Sequence, residues 1–456
     1  MSNEEIAIDV SKIGFSKDKI KDFFKKYGII FLVLIPVILA AAIRLIPSDL
    51  PVTEPWAQSS VEQYYLSQIK SQIRQQYPAL PESNVESTAA QQYADFYKQN
   101  KKTVNAQIEQ ASKSYKTLFQ DESGYTYMPD IDPYTYLRFT ENYIEHGYAG
   151  DEIRNGTQWD THSLAPNGRP ASLSPHVVIL AYIYKVMSIF NPKITIMQST
   201  TYFPIIFAAL SIIPIFFIGR MIAGNTGGFF AAVMMAVNGA FLGRTTWGHA
   251  DTDAYNIFFA VYIVWFFFLA MQSKDLKKTA IYSSIAGLLV GIFAKFWIGW
   301  WYIFDFMLGT MVIYAGYIIL RKKTFSISKI KQDETLRHLG KVAVVFVIAC
   351  ALFVTLFTSF LAFTNSVFEP ITFSNIKSAS HANLWPNVYT TVAELNSASI
   401  DSVISSVGGK MYFYISLLGI LLLLISKKDG VRIHFQYAVL FIMWYIGIIY
   451  ASTKGI

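Results

Sequence analysis

The strongest constraint in this sequence is a series of long apolar runs with little charge inside them. A bilayer core about 30 Å thick takes about 20 apolar residues to cross as helix. Nine runs are read as spans, at residues 28–46, 197–218, 227–242, 255–271, 280–296, 301–320, 342–363, 411–425 and 437–451. Inside lipid the backbone finds no water to bond, so each run is expected to be helical. A shorter run, Pro175–Phe190, is interrupted by Tyr and Lys and is expected to be an interfacial or re-entrant helix, not a span. The fold class expected is therefore an all-α, polytopic membrane protein.

Composition agrees with this. Charged residues make up 15% of the chain against about 25% in an average soluble domain, which excludes a soluble globular enzyme and a disordered chain. The single cysteine, Cys350, excludes an intrachain disulfide and a Cys-based zinc site. The net charge of +7 is of the kind that cytoplasmic loops give a membrane protein. No basic block stands apart from the spans, so no nucleic-acid partner is expected.

The positive residues set the topology. Lysines from Lys17 to Lys26 precede the first run, Arg220 follows the second, and Lys274, Lys277 and Lys278 follow the fourth. Arg321, Lys322, Lys323, Lys329, Lys331, Arg337 and Lys341 separate the sixth and seventh; Lys427, Lys428 and Arg432 separate the eighth and ninth. All fall on one side if Pro175–Phe190 does not span, which places the N-terminus in the cytoplasm. The chain then divides into a cytoplasmic N-terminus (1–27), a first span (28–46), a long outer loop (47–196), a bundle (197–363), a large outer loop (364–410) and the last spans (411–456). The first apolar run lacks a small-residue cleavage site and is expected to be an anchor. Residues 58–120 are rich in Gln, Ser, Tyr and Lys, with helical character at 60–76 and 89–116 and no catalytic signal.

The outer segments carry the acids of interest. The first contains Asp130 and Asp132 in M-P-D-I-D-P-Y, the second runs from Arg244 through His249 to Asp251 and Asp253, and the fourth holds Thr391-Val392-Ala393-Glu394. A D-x-D pair alone is weak, since it also suits a solvated turn or the N-cap of the next helix. Its place at the mouth of an apolar helix raises its weight, because ionisable groups at the membrane edge are costly unless used. Paired carboxylates supply the oxygen ligands that Mg²⁺ or Mn²⁺ prefers. His249 reads either as an interfacial polar residue or as a partner of these acids. Lys295 is able to snorkel to the headgroups, Asp305 to line a polar groove, and Trp297, Trp300 and Trp301 to form an aromatic belt.

Together these motifs resemble the catalytic subunit of oligosaccharyltransferase, the family of archaeal AglB and bacterial PglB among the GT-C glycosyltransferases. Asp132-Pro133-Tyr134 with Arg138 is similar to the family's first-loop aspartate and downstream arginine. Arg244 through Asp253 is similar to its R-x(6)-D-x-D segment, and Thr391 through Glu394 to its [ST]-[VI]-x-E motif. The similarity runs from about residue 127 to the end of the sequence.

The resemblance implies transfer of a glycan from a dolichyl phosphate or pyrophosphate to the Asn side chain of N-x-S/T. Asp132 and Glu394 would then engage the acceptor amide. Asp132, Asp251 and Asp253 would hold Mn²⁺ or Mg²⁺, with Glu394 as a further candidate. Arg138, Arg244, His249 and Glu394 would lie near substrate, and the loop at 364–410 would close over the acceptor. Implied partners are a lipid-linked oligosaccharide, an acceptor polypeptide and membrane lipids. The sequence shows no W-W-D-Y-G motif, so sequon recognition is expected from a separate C-terminal part. The family's thirteen spans also exceed the nine read here. One sequon, Asn155-Gly156-Thr157, is either an acceptor site or a chance match. Alternatives are another GT-C enzyme such as a protein O-mannosyltransferase, a transporter, or a non-catalytic membrane subunit.

Overall fold

The computed structural model describes residues 17–323, 325–369, 397–428, 431–432 and 435–454. They form two compact units, one of the described residues within Met1–Ala41, Phe207–Gly243 and Thr252–Ile456 and the other of Ala42–Ile206 and Arg244–Asp251.

The first unit is a bundle of apolar helices, and the chain is a multi-pass membrane protein. Seven described helices are long and apolar enough to cross a bilayer: Tyr27–Asp49, Ile196–Ala236, Asp253–Gln272, Leu276–Phe296, Ile298–Lys322, Glu334–Phe357 and Phe435–Thr453. Local chemistry sets several ends. The Asp275 side chain accepts from the backbone N–H groups of Lys277 and Lys278, and Asp333 accepts from that of Leu336, each capping the helix that follows. Arg321 and Lys322 close their helix where its dipole favours cations.

The helix at Phe203–Ala236 is two helices joined by a tight turn. Ala223 and Gly224 leave helical geometry, with Gly224 at φ +69°. A Cβ on Gly228 would lie 2.6 Å from the Phe216 carbonyl oxygen, and one on Gly219 would lie 2.9 Å from Ala231 Cβ. In a continuous helix, residues twelve apart would be separated by about 18 Å. The chain therefore folds back at Ala223–Gly224, and the apolar runs 197–218 and 227–242 lie on the two sides of the turn. Ala208, Ile212 and Phe216 meet Ala232, Ala236 and Phe241 in one buried cluster.

Another apolar run breaks where the sequence gave no warning. The run at 342–363 ends as helix at Phe357; Thr358 is non-helical, and Ser359 caps a new short helix, Phe360–Asn365, by accepting from Ala362 N–H. The run at 411–425 forms Lys410–Ile425, which meets Ile400–Ser406 at an 85° bend.

The second unit is built on a helical hairpin, Thr53–Gln76 and Glu82–Thr117. Ile73, Val85 and Ala89 form its core, and a 2.8 Å bond joins the Thr53 and Ser112 hydroxyls at its base. The Asp132–His146 helix follows, then a three-stranded antiparallel sheet (Glu152–Arg154, Thr157–Asp160, Arg169–Pro170), then the 16-residue apolar helix Pro175–Phe190. The sheet departs from the all-helical expectation. Asn155 and Gly156 both adopt positive φ between its first two strands, as a two-residue hairpin turn requires.

Close packing between Leu276–Phe296 and Glu334–Phe357 depends on small residues. A Cβ on Gly287 would lie 2.5 Å from Ala349 Cβ, and one on Gly291 2.5 Å from Phe353 Cβ. Gly291→Val is therefore expected to destabilise the bundle by about 1–3 kcal/mol, read as a lower unfolding midpoint in detergent. Gly316→Ala, where a Cβ meets nothing within 4 Å, should leave the midpoint unlowered.

Candidate functional site

Asp132 occupies the first turn of the Asp132–His146 helix, followed by Pro133, where a fixed φ and a missing N–H cost nothing. A carboxylate there is favoured by the helix dipole, and Asp132 is exposed. The segment just before it packs under the loop that leads to Asp251. Gly248, at φ +79°, would place a Cβ 2.7 Å from Pro129 Cδ and 3.3 Å from Met128 Cα, so only glycine fits. Met128, Leu137 and Ala250 form one buried cluster. The helix opened by Asp132 and the residue directly before Asp251 thus share a core.

The loop at 244–251 is also held at other points. Arg44, fully buried at the end of the first span, donates from Nε to Thr245 Oγ1 at 2.8 Å, and its carbonyl accepts from Trp247 N–H at 3.0 Å. The Trp247 ring packs against Tyr125 at 5.7 Å and edge-on to Tyr202 at 5.0 Å. His176 is 1% exposed, and its Nε2 lies 3.0 Å from the Ala250 carbonyl. A carbonyl only accepts, so Nε2 carries the proton. Burial pushes the His176 imidazole down to about 4, against the opposing pull of Ala250 and Asp251, and the ring is neutral at physiological pH.

The other expected residues are placed as follows. Asp251 and Asp253 are half-buried, and Asp253 begins the Asp253–Gln272 helix with Thr252 at the N-cap position. Arg244 is exposed in the last turn of the Gly239–Thr245 helix. His249 is half-buried, and its Nδ1 is buried without a partner among the described residues. Asn155 is exposed in the hairpin turn, where the need for positive φ by itself accounts for Asn-Gly. Glu394 and its motif lie outside the described residues.

Arg138 sits two turns along from Asp132, in a separate cluster. Its guanidinium donates to Asp151 and to Asp160 Oδ1 at 2.8 Å, and His162 Nδ1 lies 2.8 Å away. Asp151, Asp160 and His162 are close enough to hold one metal ion, with ligand atoms within 4.8 Å of one another. The Arg138 guanidinium already supplies a cation to both carboxylates, and these are not the acids the sequence motifs select. Contact between Arg138 and a substrate would require it to leave two carboxylates. Burial pushes the Asp160 carboxyl up, but hydrogen bonds from Ser163, Arg138 and the His162 backbone outweigh it and hold it at about 2. Burial likewise raises Asp151, and bonds from Arg138, Thr161, His162 and Asn142 carry it below the usual carboxylate range.

Arg44, Thr245 and His176 did not emerge from the sequence motifs. Arg44 had a signal, a lone cation in the last turn of an apolar run. His176 had none, since its bond crosses 74 positions.

An apolar helical bundle carried in one chain with an acid-bearing unit defines a polytopic membrane protein. The chain belongs to the family described as oligosaccharyl transferase STT3, N-terminal, whose model matches residues 102–456. It is 31% identical over 374 residues to a dolichyl-phosphooligosaccharide-protein glycotransferase of Methanococcus voltae, covering 76% of this chain and 41% of that one. A protein of the same description from Methanocaldococcus jannaschii is 27% identical over 435 residues, covering 78% and 46%. The chain thus spans less than half the length of these curated relatives. Its fold is similar to that of the archaeal oligosaccharyltransferase AglB from Archaeoglobus fulgidus, solved with an inhibitory peptide and a dolichol-phosphate. That likeness has a TM-score of 0.50 at 17% identity and covers 72% of this chain and 46% of the other.

Both depressed carboxyls contribute stability above their unfolded value, about 3.9, and lose it as pH falls through the folded value, about 2 for Asp160. The second unit is expected to hold its structure down to about pH 4 and to lose stability between about pH 4 and pH 2. Arg138→Met should shift that loss to higher pH in an acid titration of the circular-dichroism midpoint.

Proposed function

We propose that this chain is the membrane part of an oligosaccharyltransferase catalytic subunit. It would transfer a glycan from a dolichyl phosphate or pyrophosphate to the Asn side-chain nitrogen of N-x-S/T. The observation that carries the reading is the core shared by Met128, Leu137 and Ala250, which joins the segments bearing Asp132 and Asp251.

The acceptor amide is a poor nucleophile because its nitrogen lone pair is delocalised into the carbonyl. Carboxylates that accept hydrogen bonds from both amide protons favour rotation out of conjugation, and motif similarity assigns this to Asp132 and Glu394. The same similarity assigns Asp132, Asp251 and Asp253 as holders of Mn²⁺ or Mg²⁺. Their all-oxygen donor set suits a hard cation. When bound, the ion supplies a Lewis acid for the phosphate of the leaving lipid. Arg244 and His249, on the loop that ends in Asp251, are assigned to substrate binding. Arg138 is assigned to support of the Asp132 helix, because Asp151 and Asp160 share its guanidinium. A carbon-lined cavity of about 670 Å³ in the bundle, beside Phe413, Ile420, Trp444 and Tyr445, offers room for part of an isoprenoid tail. The positive residues support a cytoplasmic N-terminus and carboxylates on the extracytoplasmic face.

The test is transfer to a fluorescent sequon peptide in membranes supplied with lipid-linked glycan, Mn²⁺ and the region of its relatives that this chain does not span. Asp132→Ala and Asp251→Ala are each expected to lower the rate about 100-fold or more. Chelation should abolish transfer and Mn²⁺ should restore it. Unaltered transfer in both variants would overturn the assignment.

A further inference from the structure

We propose that His176 is a positioning residue for Asp251. Its Nε2–H, donated to the Ala250 carbonyl, sets the peptide plane from which the Asp251 carboxylate projects, relative to the helix that Asp132 opens.

The geometry is as follows. A peptide bond is planar, so the Ala250 carbonyl carbon and oxygen lie in one plane with the nitrogen and Cα of Asp251. Fixing the direction of that oxygen therefore fixes the path of the chain into Asp251. The oxygen belongs to a residue that is 0% exposed, where water is no substitute donor, and His176 Nε2 meets it at 3.0 Å. The imidazole cannot swing. Its ring is edge-on to Tyr136 at 4.6 Å and to Phe203 at 4.7 Å, and it is 1% exposed. Tyr136 stands one turn beyond Asp132 on the same helix. His176 thus links the Asp132 helix, through Tyr136, to the backbone that enters Asp251. At Ala250 the backbone carbonyl is the point that His176 holds, while Met128 and Leu137 pack against the methyl group. Ala250 N–H bonds back only to the Gly248 carbonyl at 2.8 Å, and Gly248 and Ala250 offer no side-chain donor of their own.

A consequence for metal affinity follows only if Asp251 is a ligand in the proposed transferase, on which this inference rests; the two are separated by using two readouts. The full chain in lipid nanodiscs is compared with His176→Phe, which keeps an aromatic ring and removes the donor. His176→Gln carries an amide N–H at a similar reach. Mn²⁺ binding is read from the electron paramagnetic resonance of the free ion, and loop order from amide hydrogen exchange over residues 245–252. His176→Phe is expected to weaken Mn²⁺ binding about 10- to 100-fold and to speed exchange in the loop about 10-fold or more. His176→Gln should recover most of both. Should His176→Phe not fold, His176→Asn, whose shorter amide falls short of the Ala250 oxygen, replaces it.

Unchanged Mn²⁺ binding together with unchanged loop exchange in the donor-free variant would overturn the role. So would equal losses in His176→Gln and His176→Phe, since filling space would then be all that counts. Absence of Mn²⁺ binding in the unaltered chain would sink the metal reading. Loop exchange would still decide whether His176 holds the backbone at Ala250.

Discussion

One loop, residues 244–251, carries half of the candidate site, and groups from elsewhere in the chain set its path. Between Arg244 and Asp251 the chain passes through Gly248, which has no side chain, and Ala250, whose methyl group packs against Met128 and Leu137. Its conformation comes from groups far away in sequence: Arg44 on Thr245 and Trp247, His176 on Ala250, and Met128 with Pro129 under Gly248. A buried backbone group without a partner costs free energy comparable to a lost hydrogen bond. The bonds from Arg44 and His176 therefore select one loop path among many.

The Asp132 helix is fixed by a different kind of force. It is tied to the three-stranded sheet through Arg138, which pairs with Asp151 and with the fully buried Asp160, the latter also 3.5 Å from Arg169. Burying those carboxylates alone would be costly, and leaving the arginine without them equally so. The cluster is thus best understood as a strut. Among the described residues it also has the donor atoms of a metal site, but the guanidinium already occupies the electrostatic role an ion would fill.

Much of the fold was legible in the sequence. Helical spans follow from the demand that backbone groups in lipid bond internally, and this demand needs only a run of apolar residues to be recognised. The turn at Ala223–Gly224 was legible as the gap between the apolar runs 197–218 and 227–242, although regular helix lies on both sides of it. The small sheet was missed because its strands are two to four residues long, too short for an alternating pattern to register. The break at Thr358 was missed because hydropathy does not report backbone angles.

By itself the sequence determined the membrane class, and it supplied the sidedness and the short list of carboxylates that the proposal uses, because composition, charge placement and motif order are local properties of the chain. It did not determine which groups hold those carboxylates in place. Arg44 lies 201 positions from Thr245, and His176 74 positions from Ala250. Tertiary structure decided these pairings, because a hydrogen bond is set by distance and direction in space, and spacing along the chain encodes neither.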